Sequence, residues 1–219
     1  MCPLHMKKIA IIGAGGFGRE VKMLIDQINA VGNKYQFIGY YDDGKEKETL
    51  INGFPVLGKV ADLNNVSEEI AVALALGNPA YKKNVVALIN NSKITYETLI
   101  HPSVLIGNDA VSIGKGTVIC AGNIITCNIM IKDYVTINLA CTIGHDTILE
   151  SYVSLMPAVN VSGEVVVEEA VYVGTGAKII NQVSVGKNTT IGAGAVVSKS
   201  LPENCTAVGI PAKPIKFHS

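Results

Sequence analysis

The segment TIGHDT places a histidine directly before an aspartate, His145 and Asp146, inside a long run of Val, Ile, Gly and small polar residues. The other histidines are His5, His101 and His218. Histidine is the side chain best suited to take a proton near neutral pH, and a neighbouring carboxylate can hold one ring nitrogen protonated and leave the other basic. The pair is therefore a candidate general base with its partner. The alternative is a solvated histidine beside an ordinary turn residue.

The second half of the chain, which must position this pair, is a repeat. From Ile113 to Val197 every sixth residue is Ile, Leu or Val. A second lane, two residues before each of these, holds mostly small or β-branched residues. A period of six fits neither an α-helix nor plain strand alternation, and it predicts a β-helix of hexapeptide repeats in which both lanes point inward.

This hexapeptide pattern resembles the left-handed parallel β-helix of acyltransferases, in which three hexapeptides form one triangular coil. The resemblance implies that residues 18 apart stack at the strand spacing of about 4.8 Å. His145 then lies one coil from Gly163, and it should point outward because Ile143 and Thr147 occupy the inward lanes. Glycines that follow the aliphatic positions, such as Gly144, are expected to allow sharp corners or left-handed conformations.

The first half begins with a strand, a glycine turn and a helix. The run KKIAII precedes GAGGFG, whose glycines match G-x-G-x-x-G, and the amphipathic stretch REVKMLIDQINAV follows. In this motif backbone N–H groups and a helix N-terminus approach a phosphate. A second strand, QFIGYY, ends at Asp42 and Asp43, whose carboxylates can accept hydrogen bonds from a ribose or a base. These features predict a nucleotide site; the alternative is a glycine turn that serves only helix–strand packing.

The rest of the first half continues the alternation of strands and helices. EIAVALALGN and ITYETLI are strand-like and flank the helical stretch PAYKKNVVALINN, which implies a parallel sheet with helices on its faces. We predict an α/β Rossmann-like domain with a parallel sheet over residues 6–100 and an all-β left-handed parallel β-helix over residues 101–215. About 95 residues favour binding part of a nucleotide over binding a complete NAD, so an oxidoreductase is disfavoured.

Composition argues against several classes of function. The 18 Lys and Arg residues balance 18 Asp and Glu residues, which does not suit a nucleic-acid footprint or a polybasic membrane patch. We see no signal peptide and no apolar run long enough for a membrane span, and we expect a cytoplasmic protein. Five cysteines without C-x-x-C spacing favour neither a disulfide framework nor a zinc site, and no metal is expected.

Several segments together resemble the bacterial surface-sugar acetyltransferases, of the sialic-acid O-acetyltransferase and UDP-N-acetylbacillosamine N-acetyltransferase types. The likeness covers nearly the whole chain from Met6 onward, and its segments are GAGGFGRE, YYDD, LALGN, NLACTIGHD, IGAGAVV and AVGIPAKPI. It implies a homotrimer that binds acetyl-CoA in a groove between neighbouring β-helices. A nucleotide-diphosphate sugar would dock on the N-terminal domain.

The resemblance assigns roles to individual residues of the acetyl-transfer site. His145 would be the general base, Asp146 would raise its basicity, and Asn138 would help to position the acceptor. The N–H of Gly163 would bind the oxyanion that forms at the thioester carbonyl. The acetyl-CoA groove would be lined by Ser154, Thr175 and Ala193. Lys213 in GIPAK is a candidate for the CoA phosphates, and a solvated lysine is the alternative.

The resemblance also implies a nucleotide subsite, which would be formed by Gly15, Gly16, Phe17, Asp42, Asp43 and Gly77. Lys82 could only add charge there. Phe17 and the segment MPAVN depart from the family pattern, and these departures bear on the sugar and base contacts. We expect N-acetylation of a nucleotide-linked amino sugar for bacterial surface glycan synthesis. The alternatives are O-acetylation of sialic acid or another sugar, and a non-catalytic β-helix protein that binds a nucleotide.

Overall fold

The computed structural model describes residues 6–218, which form an N-terminal α/β unit followed by a β-solenoid. The six strands of the first unit are ordered β3-β4-β2-β1-β5-β6 and are parallel except for the β3–β4 pair. The predicted Rossmann-like domain is confirmed. Its elements are β1 (Lys7–Ile12), α1 (Gly16–Gly32), β2 (Tyr35–Tyr41), β3 (Leu50–Ile51), β4 (Phe54–Gly58), a 3₁₀ helix (Val60–Asn65), β5 (Ile70–Leu74), α2 (Pro79–Leu88) and β6 (Ile94–Tyr96).

Strand β1 lies between β2 and β5, so the chain leaves it toward one edge of the sheet and later returns to its other side. Ligands of open α/β sheets bind at the carboxyl ends of the strands where the order reverses in this way. The two helices that begin at this edge have local start signals. Helix α1 follows the extended Gly15 and ends at Gly32, with Asn33 as its C-cap in the left-handed conformation, φ 45°. Helix α2 has Pro79 at its first position, and the side chain of Asn78 accepts the N–H of Ala80.

The second unit is a parallel β-solenoid with three sheets. Sheet 1 contains β7, β10, β13, β16, β19, β22, β24 and the antiparallel β25; sheet 2 contains β8, β11, β14, β17, β20 and β23; sheet 3 contains β9, β12, β15, β18 and β21. The strands are β7 (Leu99–Ile100), β8 (Leu105–Ile106), β9 (Val111–Ile113), β10 (Val118–Ile119), β11 (Ile124–Ile125), β12 (Ile129–Ile131), β13 (Thr136–Ile137), β14 (Thr142–Ile143), β15 (Ile148–Leu149), β16 (Ser154–Leu155), β17 (Asn160–Val161), β18 (Val166–Val167), β19 (Tyr172–Val173), β20 (Lys178–Ile179), β21 (Ser184–Val185), β22 (Thr190–Ile191), β23 (Val196–Val197), β24 (Cys205–Val208) and β25 (Lys213–Phe217).

Both predicted lanes point into the solenoid, and residues 18 apart are paired, as Thr136 is with Ser154. The glycines that follow the aliphatic positions do not themselves take the left-handed conformation at the corners. A Cβ on Gly144 would lie 2.6 Å from the backbone N of Gly163, so this glycine allows close approach of the next coil. The left-handed conformations fall two residues later; Gly116, Gly122, Gly176 and Gly194 hold some of them, and other residue types hold the rest, among them Asn128 and Asp146.

The two units contact each other through α2 and sheet 1. The Nζ of Lys82 lies 2.9 Å from the carbonyl oxygen of Tyr134, 3.2 Å from Oγ1 of Thr136 and 3.1 Å from the carbonyl oxygen of Val153. Lys82 is fully buried. It therefore lies inside the interface between the units, and the expectation that it adds charge near a nucleotide is wrong. The strand β7 already pairs with β10, so the solenoid begins at Leu99.

Candidate active site

His145 lies at the corner where the chain passes from β14 in sheet 2 to β15 in sheet 3; we call residues 144–147 the His corner. Its Nδ1 is 2.7 Å from Oδ2 of Asp146. The side chains are 56% and 49% exposed, so both point outward as expected. Asp146 has φ 56°, and this left-handed turn brings its carboxylate back beside the preceding ring.

The carboxylate of Asp146 has two hydrogen-bond partners. Besides His145 at Oδ2, the Nδ2 of Asn128 donates to Oδ1 at 3.1 Å. The hydrogen bond from His145, followed by that from Asn128, holds the pKa of Asp146 below its usual value. An ionised carboxylate accepts a hydrogen bond from Nδ1–H, which keeps the proton on Nδ1 and leaves Nε2 as the basic nitrogen of the neutral ring.

The imidazole lies against the next coil at Gly163. The carbonyl oxygen of His145 accepts the N–H of Glu164 at 2.8 Å, and a Cβ on Gly163 would lie 2.5 Å from Nε2 of the ring. A side chain at position 163 would therefore displace the imidazole. Among the hydrogen bonds of residues 6–218, the N–H of Gly163 donates none. The Gly163 backbone therefore lies directly beside the imidazole of His145.

Thr175 and Ala193 lie at a different corner, between sheet 1 and sheet 2; we call residues 174–176 and 192–194 the groove corner. The carbonyl oxygen of Thr175 accepts the N–H of Gly194 at 2.8 Å, which stacks these two turns. Both residues are exposed. The His corner and the groove corner occupy opposite edges of sheet 2. Within one chain, the structure does not bring these predicted site residues together.

Three other predicted residues have different surroundings. Ser154 in β16 is fully buried, and its Oγ has no hydrogen-bond partner within the described chain. The N-terminal unit covers this part of sheet 1, so the Ser154 side chain does not line an open groove. Asn138 is 6% exposed, and its Oδ1 accepts the N–H of Leu139 at 2.7 Å. Its Nδ2 is therefore the atom that could contact a sugar. Lys213 is exposed at the start of β25.

In the glycine turn of the N-terminal unit, one glycine is needed for packing, and two others leave space for a ligand. A Cβ on Gly18 would lie 2.1 Å from the carbonyl oxygen of Gly13, so helix–strand packing requires this glycine. A Cβ on Gly15 or Gly16 would meet nothing within 4 Å. Packing therefore does not account for these two glycines, and the N-terminus of α1 is open to a ligand.

Asp42 and Asp43 line a cavity of about 680 Å³ at the carboxyl edge of the sheet. The oxygens of Asp42 accept the N–H groups of Ala14 at 2.6 Å and Gly44 at 2.8 Å. Asp43 uses Oδ1 to accept the N–H of Val60 at 2.9 Å. The rest of the wall is largely apolar and comes from β1, β2 and α2. A flat ring with polar edges suits such a cavity.

Phe17 and Gly77 have mainly structural contacts. Phe17 is half-buried and packs on the apolar core of the N-terminal unit. Gly77 follows β5, and a Cβ there would lie 3.9 Å from Cε of Met156 in the solenoid. Neither lines the cavity beside Asp42.

Two further observations concern metals and membranes. Among residues 6–218, no group of three or more His, Cys, Asp or Glu side chains is arranged to hold a metal ion. The helices of this range are too short or too polar to cross a membrane.

Comparisons with known proteins divide the chain in the same way. Residues 8–89 match the family model of the PglD N-terminal domain, and residues 164–199 match the bacterial transferase hexapeptide (six repeats). The acetyltransferase domain of PglB from Neisseria gonorrhoeae FA1090 is 32% identical, with 95% of this chain and 100% of that chain covered and a TM-score of 0.84. The chain belongs to the bacterial hexapeptide-repeat sugar acetyltransferases.

Other members of this family extend the comparison. A mutant of perosamine N-acetyltransferase from Caulobacter crescentus, in complex with CoA and GDP-perosamine, is 27% identical over 98% of this chain and 100% of that chain, with a TM-score of 0.84. UDP-N-acetylbacillosamine N-acetyltransferase from Bacillus subtilis (strain 168) is 36% identical over 122 residues, 53% of this chain and 52% of that protein. The match thus spans about half the length of this curated relative.

Proposed function

We propose that the protein transfers the acetyl group of acetyl-CoA to the amino group of a nucleotide-linked sugar. The observation that carries this proposal is the His corner, where Nδ1 of His145 bonds Asp146 at 2.7 Å and the ring lies against Gly163. A base, an orienting carboxylate and a backbone N–H are groups that can catalyse acyl transfer. No metal or redox group has a role in the proposed reaction.

His145 acts through Nε2. It accepts a proton from the acceptor amine as the amine nitrogen attacks the thioester carbonyl, and Asp146 stabilises the imidazolium that forms. The N–H of Gly163 donates to the carbonyl oxygen while that oxygen carries negative charge. When the intermediate collapses, the C–S bond breaks, CoA leaves as the thiolate and the new amide remains on the sugar.

A second copy of the chain completes the site, in a homotrimer. Thr175 and Ala193 are exposed and carry backbone N–H groups that donate to nothing within residues 6–218. Because they lie across sheet 2 from His145, they would face the His corner of a neighbouring copy. Acetyl-CoA would lie in the groove between the two copies, with Lys213 as a candidate partner for its phosphates.

The cavity beside Asp42 and Asp43 would hold the base, and the open turn at Gly15 and Gly16 would hold the phosphates. Two family members are named as N-acetyltransferases, and one of them is in complex with CoA and GDP-perosamine, which favours an amine over a hydroxyl as the acceptor. The product would serve bacterial surface glycan synthesis, and the reaction would take place in the cytoplasm. O-acetylation of sialic acid or another sugar is the alternative activity.

The test is release of CoA from acetyl-CoA with UDP-, GDP- and dTDP-linked amino sugars, and with free sialic acid, as acceptors. We expect turnover with at least one nucleotide-linked amino sugar, and His145→Ala should reduce kcat by at least about 10²-fold, the scale of a positioned base. His101→Ala is the matched control, because this histidine bonds Ser103 instead of a carboxylate. Undiminished turnover of His145→Ala would contradict the assignment. Nucleotide binding without transfer would favour a non-catalytic protein.

A further inference from the structure

Asn128 donates a side-chain hydrogen bond to Asp146 that has no role in the acyl-transfer scheme. Both occupy the left-handed corner position, with φ values of 56° and 55°, and they lie one coil apart. Their side chains therefore start from equivalent backbone positions and extend in register. The amide Nδ2 of Asn128 reaches Oδ1 of Asp146 at 3.1 Å, while Oδ2 bonds His145.

The next coil repeats this arrangement in the opposite direction. Glu164 and Gln182 hold the following left-handed positions of the same edge, and Nε2 of Gln182 donates to Oε2 of Glu164 at 3.1 Å. Asp146 and Glu164 are thus two carboxylates on neighbouring coils. Each is bonded by an amide from the coil that lies away from the other carboxylate: Asn128 bonds Asp146, and Gln182 bonds Glu164. Since like charges one strand spacing apart repel, these amides favour an arrangement in which the carboxylates are separated.

The second bond matters because the carboxylate of Asp146 is half exposed. With one partner, the carboxylate could rotate about its side-chain torsions and leave Nδ1, and water would take its place. With two partners on different oxygens, its plane is fixed relative to the ring. A fixed acceptor keeps the proton on Nδ1 and leaves Nε2 free on the side of Gly163.

We propose that Asn128 is a positioning residue of the acetyl-transfer site: its amide orients Asp146, and Asp146 sets the tautomer and orientation of His145. This inference rests on the proposed function, in which His145 acts as a base through Nε2. Asn128 itself touches neither substrate nor the reacting atoms in this scheme.

The test compares two glycine variants. Asn128→Gly removes the amide and tolerates the left-handed backbone, so backbone strain does not confuse the result. Asn188→Gly is the matched control, because Asn188 also has a left-handed backbone, with φ 57°, and its Nδ2 also bonds a side chain one coil away, Oδ1 of Asn204 at 2.9 Å. We expect Asn128→Gly to lower kcat by about 3- to 10-fold, the equivalent of one hydrogen bond, with KM unchanged for both substrates.

The tautomer of His145 gives a second readout that does not depend on turnover. Long-range ¹⁵N–¹H correlation spectra should show the neutral ring protonated at Nδ1 in the wild type and in Asn188→Gly. In Asn128→Gly the population should move toward protonation at Nε2. Asn128→Asp removes the amide donor and places a second carboxylate beside Asp146, so it should lower kcat at least as much as Asn128→Gly does.

Two results would overturn the proposal: kcat and tautomer in Asn128→Gly that match those of Asn188→Gly, or a wild-type ring protonated at Nε2. If the wild type transfers acetyl to none of the acceptors, the proposed function fails, and the tautomer spectra still decide whether Asn128 orients the pair.

Discussion

The buried ammonium of Lys82 gives a prediction about stability that can be worked from its contacts. Lys82 is fully buried between α2 and sheet 1, and its three hydrogen-bond partners are the uncharged oxygens of Tyr134, Thr136 and Val153. Burial without a compensating carboxylate lowers the pKa of Lys82 well below its usual value. The folded protein therefore prefers the neutral amine over a range of pH in which the unfolded chain is protonated.

The sign of the pH dependence follows from proton binding. Between the lowered folded-state pKa and the unfolded value of about 10.5, the unfolded chain binds one more proton at Lys82 than the folded chain does, so a rise in pH stabilises the fold. One proton corresponds to about 1.4 kcal/mol per pH unit. Lys82→Met keeps most of the side-chain volume and removes the titrating group, so this gain should disappear.

The assay is urea unfolding at pH 8.0 and at pH 9.5. From the lower to the higher pH, the free energy of unfolding of the wild type should rise relative to Lys82→Met, by at most about 2 kcal/mol, which corresponds to one proton over 1.5 pH units. Lys83→Met is the control on the neighbouring residue; Lys83 pairs with Glu169 at the protein surface, so its loss should cost no more than about 1 kcal/mol. Wild-type and Lys82→Met stabilities that change in parallel with pH would refute the reasoning.

Four further substitutions test the two ligand sites. Gly163→Ala places a Cβ 2.5 Å from Nε2 of His145, so we expect kcat to fall at least about 10-fold while the melting temperature changes little; normal turnover would show that the ring does not need this position. Gly18→Ala should lower the melting temperature, because its Cβ would lie 2.1 Å from a backbone oxygen. Gly15→Ala should keep the melting temperature and raise KM for the nucleotide sugar. Equal effects of the two substitutions on stability would contradict the assignment of Gly18 to packing and Gly15 to ligand binding. Asp43→Asn should raise KM for the nucleotide sugar and leave KM for acetyl-CoA unchanged, and the opposite pattern would place the nucleotide elsewhere.

Much of the solenoid could be predicted because the packing of its narrow interior repeats along the sequence. Every sixth residue must fill a narrow interior, so Ile143 and Thr147 fixed His145 as outward-facing, and the 18-residue coil placed Gly163 beside it. Asn128 could have been found in the same way, since it lies one coil before Asp146. The sequence alone does not single it out, because an asparagine at a corner also suits a left-handed backbone without any partner.

The errors fall on contacts between units, which periodicity does not encode. The resemblance places Ser154 in the acetyl-CoA groove, yet the N-terminal unit covers its strand. Lys82 lies on a helix whose polar residues suggest solvent, and only the opposing carbonyl groups of the solenoid explain its burial. In the glycine turn, sequence alone could not separate Gly18, which packing requires, from Gly15, which packing leaves open.

The central claim is that acetyl transfer occurs at His145 in a site completed by a second copy of the chain. The most direct measurement mixes subunits of His145→Ala with subunits of Ala193→Trp, a bulky side chain at the groove corner; each variant alone should be inactive. In randomly mixed trimers about a quarter of the sites combine an intact His corner with an intact groove corner, so activity should return to about a quarter of the wild-type value. Mixing His145→Ala with Asp146→Asn, which damage the same corner, is the control and should restore none. Absence of recovery in the first mixture would contradict a site shared between copies.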